Sequence, residues 1–435
     1  MSYFYQAIDQ LIEKIHNAPQ DVSRCWQALE YAPGFDLIDW LEAQPLFPKF
    51  FWHGRDGREE VVALGQLYTF LDPAPAYQIL SEGQRVWGGR SFDGRSEKNP
   101  RCMSSLFFLP QIELICSDGQ WLLAANLTQD RSRTISALRK LILEVSPLPA
   151  LNTQIHQLSH IPVQSDWQQL VGLALQEIKA GKFKKVVLAR ETSLLLEPSI
   201  CAAQLLKASF SSNHNSFHFM LALDSKHSFI GSTPEQLYQR IDQTLYTEAL
   251  AGTSGRSDDQ LHDSQLSNWL ENDSKNLAEN QYVVDDIIER LTPYSTHIQV
   301  DPQAHLVKLR KVQHLKRAIS AQLHKDVKGV QLLGALQPTA AVAGLPREPA
   351  TDFIQRNEPF ARGWYAGSVG YISHDEAQFC VAIRSALVVE NKIKLYAGAG
   401  IVDGSDAQDE WQELDRKVST LLSLISDCCP LEAAS

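Results

Sequence analysis

The chain has 435 residues, a formal net charge of −11, 44% hydrophobic and 21% charged residues, the make-up of a folded soluble protein of one large domain or two ordinary ones. Such an acidic chain lacks the basic surface that nucleic acid or an anionic membrane needs as a bulk partner, and no apolar run approaches membrane-spanning length. A small anionic substrate stays open, because it needs only a few local cations or a metal.

Seven cysteines occur, Cys25, Cys102, Cys116, Cys201, Cys380, Cys428 and Cys429. The count is odd and no C-x-x-C pair exists, so neither a disulfide framework nor a zinc site is suggested, and a reducing cytoplasm is the simple reading.

In chain order, Phe4, Ile8, Leu11, Ile12 and Ile15 recur at helical spacing, which predicts an amphipathic helix rather than a signal peptide. Residues 1–160 carry prolines, aromatics and short β-like runs such as Glu60–Leu67. Val145–Val163, with Pro147, Pro149 and Pro162, is the candidate connector to a second region, 161–430. Ser165 or Asp166 is expected to cap a helix with the stripe Trp167, Leu170, Val171, Ala174 and Ile178, stopped at Gly181. Strands are predicted at Lys184–Leu196, Phe217–Leu223, Ser228–Gly231, Gln236–Ile241 and Leu245–Leu250. Asp273 is expected to cap a helix to Leu291. Late strands follow at Trp364–Ile372, Phe379–Val389 and Ile393–Ile401, and Asp406 caps a last helix to about Ile425. Runs of strands interrupted by a few long helices, without βαβ alternation, predict an α+β fold with mixed or antiparallel sheets.

On the last helix Glu410, Glu413 and Lys417 share one face, apart from the apolar stripe of Trp411, Leu414, Val418, Leu421 and Leu422. Two readings are open: a solvated charged face, or carboxylates aimed at a hard cation. The helix from Asp273 offers Glu279, Asp286 and Glu289, and two carboxylates from different elements are a usual way to hold magnesium. In G-S-T-P-E, 231–235, Pro234 stiffens a turn; Glu235 is either exposed or a rigidly held general acid, which would need a raised pKa. One of Lys184 and Lys185 must face inward on a strand, and an inward lysine is costly unless paired or used. Gly252, Gly367 and the run Tyr396–Gly400 lack the context of a dinucleotide site and suit close approach of a ligand or another backbone. Arg384 could fork onto a carboxylate.

The ordered set KKVVLAR, GSTPE, TEALAGT, KNLAEN, VQHL, P-x-x-A-V-x-G-x-P (338–346), WYAGSVGY, IRSAL, YAGAGIV and EWQELDRK resembles the chorismate-binding enzyme family from about Ser165 to Ser423. Upstream, FDLIDWL (35–41), PKFFWHGR (48–55) and ALGQ (63–66) resemble the menaquinone-pathway isochorismate synthases of that family. The resemblance implies a large α/β sandwich of mostly antiparallel sheets flanked by helices, with the active site in a cleft, and magnesium as cofactor. It implies Glu279 and Glu413 as metal ligands, with Glu410 close behind. Arg384, Tyr396 and backbone amides around Gly400 bind a substrate carboxylate, helped by Lys417. Thr253, His314 and Ala341 line the pocket, Glu235 is the general acid and Lys185 the base that activates water.

The implied reaction is attack of water at C2 of chorismate with loss of the C4 hydroxyl. Ammonia-using relatives resemble one another in carrying Gln at the position of Lys185, and aminodeoxychorismate synthases carry Lys where this chain has Ala251. Anthranilate and aminodeoxychorismate synthases carry Thr where it has Ala341. No glutaminase subunit is therefore expected. Many members also have a second Glu where this chain has Asn276. Salicylate synthase is the nearest rival; a non-catalytic paralogue should have lost one of Lys185, Glu235, Glu279 and Glu413, and all four are present.

Overall fold

A computed structural model describes residues 2–92 and 105–426. Cys102, Cys428 and Cys429, and the end of the expected second region, lie outside the described residues. Cys25, Cys116, Cys201 and Cys380 are free thiols. Among the described residues no helix is long and apolar enough to cross a membrane.

Two antiparallel sheets face each other, with twelve and ten strands among the described residues. The first sheet contains Lys49–His53, Phe217–Asp224, His227–Thr233, Ser385–Val389, Lys392–Val402 and Lys185–Glu197 as consecutive neighbours. The second contains Val312–Leu323, Thr244–Gly255, Gln236–Ile241, Glu376–Val381, Ser368–Ile372 and Val86–Arg90. Strands from before residue 160 pair with strands from after it in both sheets: His53 opposite His218, and Arg90 opposite Ser368.

Between the layers lies an aromatic seam. Phe50 and Trp52 of the first sheet meet Trp87 and Tyr371 of the second, at ring-centre separations of 5.3 Å and 6.4 Å. Each such ring removes about 150–250 Å² from water, roughly 4–6 kcal/mol before the entropy of ordering is subtracted. The N-terminal helix Ser2–Asn17 buries the stripe Phe4, Ile8, Leu11, Ile12 and Ile15 as its spacing predicts.

Most differences from the expected elements fall where the chain bends. The strand expected at Glu60–Leu67 runs over Glu59–Leu64 and stops at Gly65, whose φ is +67°. The connector region is not all irregular: Gln154–Ile161 is a strand paired to Lys185–Glu197. Neither Ser165 nor Asp166 caps the next helix. It starts at Gln164, after the single extended residue Val163, whose carbonyl accepts from Trp167 N at 2.9 Å. Asp273 and Asp406 do cap their helices, accepting from Asn276 N and from Gln408 N and Asp409 N.

The expected strand Trp364–Ile372 begins only at Ser368, because Arg362–Gly367 forms tight turns with Ala366 at φ +61°. Phe379–Val389 is two strands. Glu376–Val381 belongs to the second sheet and Ser385–Val389 to the first, and the chain changes layer between them. It makes the same change between His227–Thr233 and Gln236–Ile241. The two crossings lie side by side: Val381 N donates to Glu235 O at 3.0 Å and Ser232 N to Arg384 O at 3.1 Å. Bends at which strands change sheet make the corners of such sandwiches, and here two corners are fused.

Candidate active site

Each of the two crossings carries a functional candidate. Arg384 has φ +50°, a conformation that turns the chain sharply and that a side chain tolerates only at a cost. Its guanidinium is buried, with Nη2 3.5 Å from His314 Nε2; Nε has no acceptor among the described residues. Glu235 follows Pro234 in the other crossing and is also buried. Burial, and then the charge of Glu248, push its pKa up to about 8, against the pull of Lys185, Arg384 and Lys417.

A cavity opens between these corners and two helices. It is lined by Glu235, Thr253, Glu279, His314, Ala341, Arg384, Tyr396, Gly400, Glu413 and Lys417, with Val187, Ala251, Tyr365 and Ile383 among the rest. Ten of the twelve residues singled out from the sequence therefore share one wall system. Lys185 stands directly behind it: a Cβ placed on Gly400 would lie 3.0 Å from Lys185 Cε. Glycine at 400 is thus needed for close approach.

Lys184 and Lys185 resolve as strand alternation requires. Lys184 is exposed, with its amine 5.8 Å from the centre of the Tyr282 ring, and Lys185 is buried. The Lys185 amine donates to Glu279 Oε1 at 2.8 Å.

Glu279 comes from the helix Ser274–Leu291, and this helix is hung on a bulge. The ladder between Thr244–Gly255 and Val312–Leu323 slips between Leu250 and Thr253, where Gly252 has φ +87°. Asn280 Nδ2 fills the gap, donating to the carbonyls of Ala249, Ala251 and Leu315 at 3.1–3.3 Å. Asn276 Oδ1 accepts from Thr253 N at 3.1 Å, and its amide donates to Asp273 at 2.7 Å. The asparagine at 276 is therefore a clasp between helix and bulge. Asp286, further along the helix, is tied up by Arg290 at 2.6 and 2.7 Å, and Glu289 is exposed.

The opposite wall is the helix Ala407–Ser426. Its charged face is turned toward the sheet. Lys417 bridges Glu413 at 2.6 Å and the Gly398 carbonyl at 2.8 Å. Burial would raise Glu413, but Lys417, Arg416 and Arg384 outweigh it and hold the carboxyl below its usual range. Glu410 does not line the cavity. It accepts from Ser405 at 2.9 Å, and burial together with the charge of Glu413 pushes it up to about 7.

His314 is held neutral: burial, then the charges of Arg384 and Lys417, take it well below the ordinary imidazole range. Arg384 can only donate, so Nε2 is the acceptor and the proton belongs on Nδ1, which faces Thr253 Oγ1 at 3.0 Å. Tyr396 stacks on Tyr365, 5.1 Å between ring centres. The loop bearing Ala341 is anchored by Arg362, whose fork reaches the carbonyls of Val342 and Val187 at 2.8 and 2.7 Å and the buried Glu358.

Tyr365, Asn280, Arg362 and the Glu248 pair described below were not singled out from the sequence. Tyr365 lies inside the WYAGSVGY motif, and only the packing of its ring reveals a role. Among the described residues no group of three or more Asp, Glu, His or Cys side chains is placed to hold a metal.

A cleft with a buried carboxyl, a buried guanidinium and carboxylates from two helices suits a small anionic molecule. The family model for chorismate binding enzymes matches residues 73–426, and the chain belongs to that family. It is 41% identical to the isochorismate synthase MenF of Escherichia coli, over 90% of this chain and 91% of that protein. It is 37% identical to MenF of Haemophilus influenzae, over 98% of each. The solved structure of the Escherichia coli enzyme, described as menaquinone-specific, superposes with a TM-score of 0.90 at 38% identity, covering 97% of this chain and all of that one.

Proposed function

We propose that the protein is an isochorismate synthase, converting chorismate to isochorismate for menaquinone biosynthesis. The observation that carries this reading is the buried carboxyl of Glu235 lining the same cleft that Lys185 backs. Water adds at C2 as the ring double bond shifts and the C4 oxygen leaves. Hydroxide is a poor leaving group, so Glu235 gives its proton to the departing oxygen. Lys185, acting as the neutral amine, takes the proton of the attacking water. One water enters and one leaves, and the product is an isomer of the substrate.

Arg384 and Tyr396 fix a substrate carboxylate, with backbone amides near Gly400 and the Lys417 amine completing the anion site. Neutral His314 orients the guanidinium without adding charge. Ala251 and Ala341 both line the cavity; Ala251 offers no nucleophilic lysine there, and alanine at 341 goes with retaining the enolpyruvyl group.

The donor set suits magnesium. Glu279 and Glu413 present hard carboxylate oxygens from two helices, and Glu410 stands behind Glu413, whose charge acts on it. When bound, magnesium offsets the negative charge that substrate brings into an already acidic cleft. Lys in place of Gln at 185 supports water rather than ammonia as nucleophile, so no glutaminase subunit is required. The four free thiols suit a cytoplasmic enzyme.

Purified protein incubated with chorismate and magnesium, without ammonia, tests the reading. A product of unchanged mass, identified as isochorismate by NMR, is expected. Salicylate plus pyruvate would transfer the assignment to a salicylate synthase. No turnover with or without ammonia would overturn it.

A further inference from the structure

The general-acid loop is held from behind by a residue of the N-terminal region. Arg55 follows the strand Lys49–His53, which pairs with Phe217–Asp224 in the first sheet. Its guanidinium forks onto Glu248 of the second sheet, at 2.5 Å and 2.9 Å. The same nitrogen that meets Glu248 Oε1 also donates to the Pro234 carbonyl at 2.5 Å. Glu248 Oε1 in turn accepts from Gln236 N at 3.0 Å. The backbone groups on either side of Glu235 are thus both bound by one ion pair. Glu235 itself is held by Val381 N and Thr233 Oγ1. Lys316 stands 3.3 Å from the other Glu248 oxygen, and Arg55 lies over the Phe217 ring. Neither Arg55 nor Glu248 lines the cleft.

We propose that Arg55 and Glu248 are positioning residues for the reaction: their bidentate pair spans the two sheets and fixes the aim of the Glu235 carboxyl. The planar fork is what this requires, because two parallel bonds fix an orientation and a lysine ammonium cannot replace them. A general acid displaced by about 1 Å loses most of its effect, whereas substrate affinity set by Arg384 and Tyr396, whose backbone bonds involve neither Arg55 nor Glu248, is retained. Glu248 also faces Glu235 electrostatically, together with Lys185 from the strand Lys185–Glu197, Arg384 from the second crossing and Lys417 from the last helix. Glu248 is the one negative charge in that set, so it helps Glu235 keep its proton.

This inference rests on Glu235 as the acid, so three variants of the full chain are compared. Glu235→Gln examines the acid assignment itself. Arg55→Lys keeps the charge and removes the fork; Glu248→Gln keeps the shape and removes the charge. Steady-state kinetics against chorismate should show kcat lowered about tenfold or more in Arg55→Lys with KM within about twofold. In Glu248→Gln the alkaline limb of the kcat profile should move down by about half a pH unit or more. Activity retained in Glu235→Gln would sink the acid assignment. An inactive Glu235→Gln beside Arg55→Lys with unchanged kcat, or with kcat and KM impaired alike, would overturn the clamp. So would a Glu248→Gln profile with its alkaline limb unmoved. If Arg55→Lys does not fold, the Glu248→Gln profile decides alone.

Discussion

Glu235 and Arg384 occupy neighbouring crossings between the two sheets, and backbone bonds of 3.0 and 3.1 Å lock one crossing to the other. The proposed acid and the proposed anion-binding guanidinium are thus set in register by main-chain bonds.

Arg384 combines a strained backbone with a needed side chain. Replacement by Gly and by Ala should both raise KM for chorismate about tenfold or more, because the bidentate partner of the carboxylate is lost. The two variants should differ in stability. Glycine relieves the φ of +50° and alanine does not, so Arg384→Gly should exceed Arg384→Ala by roughly 1 kcal/mol. Denaturant titration of both gives the comparison, and equal midpoints would show that the strain is absent.

Lys185→Ala should lower kcat by about 10²–10⁴-fold, the range for loss of a general base, with circular dichroism unchanged. Gly400→Ala approaches the same goal from the other side. Its methyl would lie 3.0 Å from Lys185 Cε and 3.3 Å from Glu279 Oε1, and Lys185 must give way. A loss of turnover without loss of stability is expected. Near-normal turnover in Lys185→Ala would remove the lysine from the mechanism.

Glu235, pushed up to about 8, has two pH signatures. Catalytically, the rate should fall tenfold per pH unit above about 8, as the acid loses its proton. Thermodynamically, the folded carboxyl binds its proton more tightly than the unfolded one. Its contribution to stability is complete below the unfolded value, near 4.5, and is lost as pH rises to about 8. Glu235→Gln abolishes that slope. The variant, though inactive, should therefore gain on the parent by up to roughly 3–5 kcal/mol between pH 5 and 9. Parallel stability curves for the two proteins would contradict the raised pKa.

Glu413→Gln should raise the magnesium concentration for half-maximal rate at least 10–100-fold, the scale on which even outlying partners of a metal act. Glu410→Gln, one turn away and bonded to Ser405, should act more weakly. A magnesium titration identical to the parent's would exclude Glu413 from the metal site.

Much of this arrangement is legible in the residues. Helix stripes such as Phe4–Ile15 and Trp167–Ala174 report burial directly, and Lys185 must turn inward once Lys184 is outward. The sheet crossings are not legible. Phe379–Val389 is one apolar run, and nothing in its period says that the chain changes layer at Ala382–Arg384, because both layers bury apolar side chains. Glu410, Glu413 and Lys417 have the pattern of a solvated face; only the position of the helix against Lys392–Val402 turns them inward. Arg55 and Glu248 are 193 residues apart, and a pair that distant has no local signature.

The clasp of Asn276 and Asn280 has a mechanical consequence. It fastens the Glu279 helix to the second sheet, while the Glu413 helix rests on the first. The carboxylates of Glu279 and Glu413 are therefore carried by different layers of the sandwich. Held by Glu279 and Glu413, magnesium would tie one layer of the sandwich to the other.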